Sequence, residues 1–215
     1  MKSVGVIGSG VVGQTLARGF LTHGFDVMIG SRDPGNLARW VAETSGRGKA
    51  GTDEETASFG EIVVLAVKGL AAEEVVKRVG PARLAGKLVI DTTNPISDEP
   101  PRDGVLRFFT TLDESLMERL QRLAPEAHFV KAFNSVGNAL MLNPSLPGGK
   151  PTMFICGNDD GAKKAVTGIL DSFGWETADM GSIAAARAIE PLCMLWCIPG
   201  FLRNDWAHAF KLLAK

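Results

Sequence analysis

Short apolar runs alternate with amphipathic segments of helical period along nearly the whole chain. The runs predict strands at residues 4–7, 27–30, 49–51, 62–67, 88–90, 129–133, 153–157 and 175–179. Uninterrupted apolar character, as in the stretch from Ile62 to Val67, is typical of parallel strands that are buried on both faces. Strands that alternate with helices in this way predict an α/β fold with a doubly wound parallel sheet.

The intervening segments predict helices after residue 13 and at residues 36–44, 52–58, 71–79, 115–123, 159–173, 182–195 and 201–213. Thr52 followed by Glu55 forms a capping-box pattern at the start of the third of these. The Pro199-Gly200 pair predicts a break between the last two helices. We therefore expect a sheet domain over residues 1–180. A small C-terminal helical part is expected over residues 181–215.

A glycine-rich turn follows the first predicted strand and leads directly into a helix. Its residues are Gly8, Ser9, Gly10, Val11, Val12 and Gly13. Gly8 allows the tight turn, Gly10 leaves the backbone open to a pyrophosphate, and Gly13 lets the helix pack against the sheet. The helix N-terminus adds free N–H groups and a partial positive charge. The motif predicts a Rossmann-type dinucleotide site, and a glycine-rich turn without a ligand is the alternative.

The end of the second predicted strand distinguishes between the two nicotinamide cofactors. A site selective for NAD places Asp or Glu there, where the carboxylate holds the ribose 2′-hydroxyl. Here the strand is followed by Ser31 and Arg32, and a hydroxyl and a guanidinium suit a 2′-phosphate. The sequence therefore predicts NADP(H) as the cofactor.

Composition narrows the functional class. The chain has 215 residues, a formal net charge of −1 and a pI of about 6.3, which gives no indication of binding to nucleic acid or to a membrane. Three cysteines favour a reducing compartment, and the chain starts directly with a strand, so we expect a cytoplasmic protein. Cys193 and Cys197 share a helix face but lack a histidine partner. Core packing is therefore their expected role, and no metal site is predicted.

Ligands of an open parallel sheet bind beyond the carboxyl ends of its strands. The residues that follow the predicted strands are therefore the remaining candidates, and most of them are polar and neutral. The candidates for cofactor binding are Ala66, Val67, Lys68, Asn94, Pro95, Ala132 and Asn134, and those for binding the second substrate are Asn134, Ser135 and Arg187.

Three of the strand-end and helix residues keep two interpretations. Asn94, which the following proline holds extended, can bind the cofactor or simply end the strand. Lys131 is expected on an exposed face, because a lysine in a strand core needs a partner, and a catalytic role is the alternative. Arg187 and Glu190 are three residues apart on a predicted helix, so a local ion pair is the other interpretation of Arg187. No residue is assigned as catalytic.

Taken together, these motifs resemble the NADP oxidoreductase, coenzyme F420-dependent family. The resemblance rests on Gly8-Ser9-Gly10, residues 29–34, Thr93-Asn94-Pro95, Lys131-Ala132-Phe133-Asn134 and Cys156-Gly157-Asn158-Asp159. The chain is also similar to the oxidoreductase domain of the STEAP metalloreductases. The resemblance implies NADPH bound to a Rossmann domain, a homodimer, and hydride passed to a deazaflavin or a flavin. At Asn134 the chain departs from the archaeal enzymes, which carry a histidine there, and this weakens the case for deazaflavin.

Three functions remain open. The first is an NADPH-dependent oxidoreductase with a deazaflavin or flavin acceptor, which fits the polar, neutral strand ends. Hydride transfer between stacked rings needs orientation more than acid–base groups. The second is a non-catalytic NADPH-binding or redox-sensing protein, and the third is a reductase of a small imine or keto acid, which usually needs a proton donor. The apolar C-terminal helices, from about Leu192 to Leu213, are expected to supply much of a homodimer interface. The C-terminal part is also expected to close one side of the acceptor site that the resemblance implies.

Overall fold

Among residues 2–213, which the computed structural model describes, six strands form one parallel sheet with the order β3-β2-β1-β4-β5-β6. The strands are β1 (Ser3–Ile7), β2 (Asp26–Gly30), β3 (Gly48–Gly51), β4 (Ile62–Leu65), β5 (Leu88–Asp91), β6 (His128–Lys131), β7 (Thr152–Ile155) and β8 (Glu176–Asp179). Met1 and residues 214–215, which the two predicted regions include, lie outside the described residues. The sheet confirms the predicted Rossmann-type α/β fold, with the strand order reversing between β1 and β4.

Helices cover both faces of this sheet. They are α1 (Val11–Thr22), α2 (Ala38–Ala42), α3 (Asp53–Phe59), α4 (Gly69–Val79), α5 (Pro81–Leu84), α6 (Leu116–Leu123), α7 (Asp160–Ser172) and α8 (Ala186–Arg203), with short 3-10 turns at Pro34–Leu37, Asn138–Leu140 and Ile183–Ala185. The predicted capping box starts α3, where the Thr52 side chain accepts from the backbone of Glu55 and the Glu55 side chain accepts from that of Thr52. Ser115 and Glu118 form a second capping box at the start of α6.

Each face of the sheet has its own hydrophobic core, because alternate strand residues point to opposite sides. On one side Val6 and Ile29 pack with Leu16 and Phe20 of α1. On the other side the strands pack against α4 and α6, with Leu120 fully buried. The two cores hold the carboxyl ends of β1, β4, β5 and β6 along one edge, where the candidate site lies.

A second, two-stranded parallel sheet follows β6. It consists of β7 and β8, and α7 connects them. An antiparallel bridge between Lys131 and Cys156 joins this unit to the end of β6. The segment after β6 is therefore enclosed between the main sheet and the smaller one.

The C-terminal prediction of two helices with a break at Pro199-Gly200 is wrong. The helix α8 runs through both residues to Arg203 and ends at Asn204, which adopts a left-handed conformation. Residues 204–213, predicted as helix, have no regular secondary structure. The ring of Trp206 folds back onto Gly200, where an added Cβ would lie 2.2 Å from it. The glycine thus makes room for an aromatic ring instead of ending the helix.

The segment Ile183–Arg203 has the length and apolar composition that a membrane-crossing helix needs, although one such helix is only a weak indication. Core helices of soluble proteins meet the same criteria. Here the helix places the charged side chain of Glu190 in an ion pair with Lys131 inside the protein.

Candidate active site

The glycine turn after β1 is tightly wedged between neighbouring backbone segments. Gly8 has a φ of +122°, and a Cβ on it would lie 2.2 Å from the carbonyl oxygen of Ala66 after β4. A Cβ on Gly13 would lie 1.9 Å from the carbonyl oxygen of Gly8. Only glycine fits at either position, so the turn, α1 and β4 are held in one close arrangement.

Gly10 differs from these two glycines because it faces open space. It is the N-cap residue of α1, no side chain caps the helix there, and an added Cβ would meet nothing within 4 Å. The side chain of Gln14 donates to the carbonyl oxygen of Ser9 at 2.9 Å and so ties the loop to the first turn of α1. The free N–H groups of the first helical turn therefore point into an open cradle, which fits a pyrophosphate.

Hydroxyl groups and one cation lie next to this cradle, at the end of β2. Ser9 Oγ lies 3.3 Å from Ser31 Oγ, and Ser31 Oγ donates to the carbonyl oxygen of Asp33 at 3.0 Å. The carboxylate of Asp33 accepts from the N–H of Gly35 and caps the following turn. Arg32 is exposed and forms no ion pair within residues 2–213. The residues present fit a 2′-phosphate, since the guanidinium is free to bind it.

The carboxyl ends of β4 and β5 border a cavity of about 300 Å³. Val67, Lys68 and Asn94 line it, and Lys68 is the exposed N-cap residue of α4. Of the other candidates, Ala66 is half-buried, whereas Pro95, Ala132 and Ser135 are buried along the same edge, and Val11 and Val12 are in the first turn of α1. Arg187 is on α8, with its side chain directed to α6.

Asn94 and Asn134 form a reciprocal amide pair across the ends of β5 and β6. Asn94 Nδ2 donates to the backbone carbonyl of Asn134 at 2.8 Å, and Asn134 Nδ2 donates to Asn94 Oδ1 at 3.1 Å. Asn134 Nδ2 also donates to the carbonyl oxygen of Ile189 on α8 at 2.9 Å. With only 3% of Asn134 exposed, its side chain ties the strand ends to the C-terminal helix. Its Oδ1 atom is buried and has no hydrogen-bond partner among the described residues.

Phe133, immediately before this pair, has a φ of 61°. A bulky residue in the left-handed region is strained, and such strain concentrates at functional sites. Its ring is buried against Phe173, and its N–H lies 3.2 Å from Met153 Sδ, so packing on the β7–β8 unit holds the conformation. The turn brings the backbone carbonyl of Asn134 to the amide of Asn94.

The prediction of an exposed Lys131 is wrong. The side chain is fully buried, with Nζ 2.7 Å from Asp91 Oδ2 and 3.0 Å from Glu190 Oε1. It also donates to the carbonyl oxygen of Thr93 at 2.8 Å. Burial alone would lower the pKa of Lys131, but the attraction of the two carboxylates outweighs it and the pKa lies above its usual range. An interior position was not expected because a buried lysine charge needs a partner. Here the carboxylates of Asp91 and Glu190 are those partners.

The predicted local ion pair between Arg187 and Glu190 is also wrong. Arg187 binds Glu118 of α6 with both ends of its guanidinium, at 2.7 Å from Nη2 to Oε1 and 3.0 Å from Nε to Oε2. This contact lowers the pKa of Glu118 to about 2, against the opposing effect of burial. Arg187 and Glu190 point to different partners because a spacing of three residues brings side chains near each other but does not fix their direction.

The three cysteines are buried and free. The neighbouring thiol of Cys197 and burial both raise the pKa of Cys193. Burial raises the pKa of Cys156 to about 12. Among the described residues no group of three His, Cys, Asp or Glu side chains could hold a metal ion. Cys193 and Cys197 pack with Trp196 and Leu106, as the core interpretation predicts.

Sequence reasoning missed the roles of Asp91 and Glu190. Asp91 is fully buried, and its Oδ1 accepts from the N–H and the hydroxyl of Thr93. Glu190 accepts from the backbone N–H groups of Leu116 and Met117 at 3.0 Å each. The available signal was a charged residue within each of three apolar segments, which indicates buried pairing but does not reveal the partners.

Comparison with known proteins finds sequence and fold similarity to NADP-linked reductases. Residues 3–95 match the family model of the NADP oxidoreductase, coenzyme F420-dependent family. A solved structure from Arthrobacter sp. FB24, provisionally assigned as an F420-dependent NADP-reductase, is 32% identical with a TM-score of 0.91, and the match covers 100% of both chains. The F420-dependent NADP reductase of Methanothermobacter thermautotrophicus is 28% identical over 91% of this chain and 87% of its own length.

The metalloreductases give a second line of similarity. Metalloreductase STEAP3 of Rattus norvegicus is 31% identical over 93% of this chain but only 38% of its own length. The chain thus spans about two fifths of the length of the curated metalloreductases that it matches.

Proposed function

This chain belongs to the NADP oxidoreductase, coenzyme F420-dependent family, and we propose that it transfers hydride between NADP(H) and a deazaflavin or flavin acceptor. It is an NADP-dependent oxidoreductase, like its named relatives. The observation that carries the proposal is the open cradle at Gly10 with the free Arg32 guanidinium beside it. Bound NADPH supplies the hydride, and the protein supplies binding and orientation.

Each end of the cofactor has matching groups in this chain. The first-turn N–H groups of α1 would bind the pyrophosphate, and the hydroxyls of Ser9 and Ser31 with Arg32 would bind the 2′-phosphate. Toward the redox end, Lys68 and Asn94 border the cavity beyond β4 and β5. Asn134 and Ser135 do not line this cavity; they are buried behind it, and Asn134 reaches it only through its hydrogen bonds to Asn94.

The acceptor is inferred from what the site can do chemically. The buried charges at the ends of β5 and β6, those of Lys131 and Asp91, are paired with each other and with Glu190, so they are not free to move a proton. The charged side chains that line the cavity, Lys68 and Asp98, are exposed to solvent and are not held at a fixed position against a substrate. Hydride transfer between two stacked planar rings needs orientation and exclusion of water, which such a site can provide. The name of one relative, an F420-dependent NADP reductase, supports a deazaflavin as the acceptor.

Single-turnover oxidation of NADPH tests this function directly. The purified protein is mixed with NADPH and, in separate reactions, with a deazaflavin, FMN or FAD, with NADH as the control donor. We expect oxidation of NADPH by at least one of the acceptors and much slower oxidation of NADH. Tight NADPH binding without oxidation by any acceptor would contradict the enzymatic proposal and favour a binding or sensing role.

The proposal also includes the cellular location and the oligomeric state of the protein. We expect the protein to act in the cytoplasm on a small-molecule acceptor and to form a homodimer. Large apolar side chains exposed on α8 and beyond it support the dimer, among them Leu195, Phe201, Leu202 and Trp206. Light scattering at micromolar concentration should give twice the mass of the chain, and Leu202→Glu should shift it toward the monomer. A monomeric parent protein would exclude the dimer.

A further inference from the structure

The fully buried charges of Lys131, Asp91 and Glu190, here called the charge trio, lie directly beneath the amide pair of Asn94 and Asn134. None of the three is more than 1% exposed. In the sequence, Asn94 lies three positions after Asp91, and Asn134 lies three positions after Lys131. Lys131 donates to the carbonyl oxygen of Thr93, the neighbour of Asn94. Glu190 follows Ile189, whose carbonyl oxygen accepts from Asn134.

The trio is also anchored to α6. Glu190 accepts from two N–H groups at the helix N-terminus, those of Leu116 and Met117. Two carboxylates and one lysine carry a net charge of −1, and the partial positive charge of a helix N-terminus offsets an excess of this sign. The trio therefore joins four elements, β5, β6, α6 and α8, at a single point in the interior.

Buried ion pairs of this kind add little net stability, because desolvation opposes the attraction between the charges. Apolar side chains of the same volume would stabilise the contact at least as well. What the trio adds is direction, since a carboxylate with defined donors fixes the rotation and depth of α8, whereas apolar contacts allow it to slide. In this chain the position of α8 determines where Ile189 meets Asn134.

We propose that Glu190, acting through Lys131 and Asp91, is a positioning residue that couples α8 to the strand ends at which the redox end of NADPH binds. The rate measurement that tests this inference rests on the proposed function, whereas the hydrogen-exchange measurement requires only that NADPH binds. Glu190 touches neither cofactor nor acceptor. It holds Asn94, Asn134 and α8 in one arrangement, and loss of that arrangement lowers the rate of hydride transfer without weakening the phosphate contacts.

The test uses Glu190→Gln, which keeps size and one acceptor but replaces the other oxygen with a donor. The introduced amide cannot accept from Lys131 and from both N–H groups at once, so one tie to α8 is lost. Asp179→Asn is the control, because Asp179 also pairs with a buried lysine, Lys163, while its other hydrogen bond goes to Gly181. Glu190→Asp keeps the charge and serves as a second variant if Glu190→Gln does not fold.

Two measurements are made on each variant. The single-turnover rate of NADPH oxidation should fall about ten- to hundredfold in Glu190→Gln, the range expected for a misplaced reacting group. NADPH affinity should stay within a few-fold, Glu190→Asp should recover part of the rate, and Asp179→Asn should leave it unchanged. Hydrogen exchange of the α8 amides should show protection on NADPH binding in the parent, and the protection should be lost in Glu190→Gln.

An unchanged rate in folded Glu190→Gln would overturn the positioning role, and so would retained NADPH-dependent protection of α8. Equal losses in rate and in NADPH affinity would also overturn it, since they indicate general disorder of the site. If none of the acceptors oxidises NADPH bound to the parent protein, the proposed function fails. The hydrogen-exchange measurement then tests by itself whether Glu190 couples α8 to the binding of NADPH.

Discussion

The two ends of the candidate site are built on different physical principles. The phosphate end, at β1 and β2, uses backbone shape and exposed groups, and its features are contiguous in sequence. The redox end, at β5, β6 and α8, uses buried charges and amides that meet only after folding, as in the contact of Asn134 with Ile189 across 55 residues. The difference implies that changes at the open positions of the first end, Gly10 and Arg32, alter binding while the fold persists. Changes at the second end alter the fold and the chemistry together.

The largest expected effect is on stability and lies at the redox end. Lys131→Met leaves Asp91 and Glu190 buried without their cation, and breaking a buried pair in this way should cost about 3–5 kcal/mol. Lys163→Met is the matched control, because the side chains of its partners Asp160 and Asp179 are 97% and 45% exposed, so water can solvate the carboxylates that remain. Its loss should cost about 0–1 kcal/mol. Urea unfolding of both variants checks the contrast, and equal losses would refute it.

Gly10→Val should have the largest effect at the phosphate end. The added side chain meets no protein atom within 4 Å at its Cβ, so the fold should persist, but it occupies the approach of the pyrophosphate. NADPH affinity should fall by at least about 100-fold, equivalent to about 2.7 kcal/mol. Gly168→Val on α7 is the control, since its Cβ also meets open space but far from the cradle in sequence. Unaltered NADPH titration of folded Gly10→Val would exclude this loop as the phosphate site.

Arg32→Ala should weaken NADPH binding by about tenfold to 100-fold, since hydrogen bonds to a charged group contribute about 1.5–3 kcal/mol. NADH has no 2′-phosphate, and its affinity should hardly change. Arg39→Ala, at an exposed arginine that pairs with Glu43, provides the control. Fluorescence titration with both nucleotides measures the ratio, and a parallel loss for NADPH and NADH would contradict the cofactor assignment.

Glu118→Gln should have the smallest effect, and one that depends on pH. The pKa of Glu118 is lowered to about 2 by Arg187, so the ionised form stabilises the folded state above about pH 4.5. That stabilisation is lost as the pH falls through the folded pKa. The variant should be less stable by about 1 kcal/mol near pH 7, and the gap should close toward pH 2. Unfolding midpoints at about pH 7, 4 and 2.5 check the trend, and a constant gap would contradict it.

The phosphate end of the site could be predicted from the sequence to a large extent, whereas the redox end could not. The glycine turn and the Ser31-Arg32 pair could be interpreted from local pattern, because spacing along one βαβ unit fixes their relative positions. The partners of Lys131 could not, since the contact of Glu190 with Leu116 spans 74 residues and depends on how α8 packs. The course of α8 through Pro199 and Gly200 was missed for a similar reason. Tertiary contacts to Trp206 and the core outweigh the local preference of both residues for a break.

The wedged glycine turn also has a kinetic consequence. Gly8 and Gly13 leave no room for the loop to relax, so the unliganded loop is expected to hold the same backbone conformation as the bound one. A preorganised loop has little conformational entropy to lose, and the entropic cost of association then lies mainly with the nucleotide. Association should therefore proceed in a single step whose observed rate rises linearly with nucleotide concentration, without the plateau that a slow loop closure would impose.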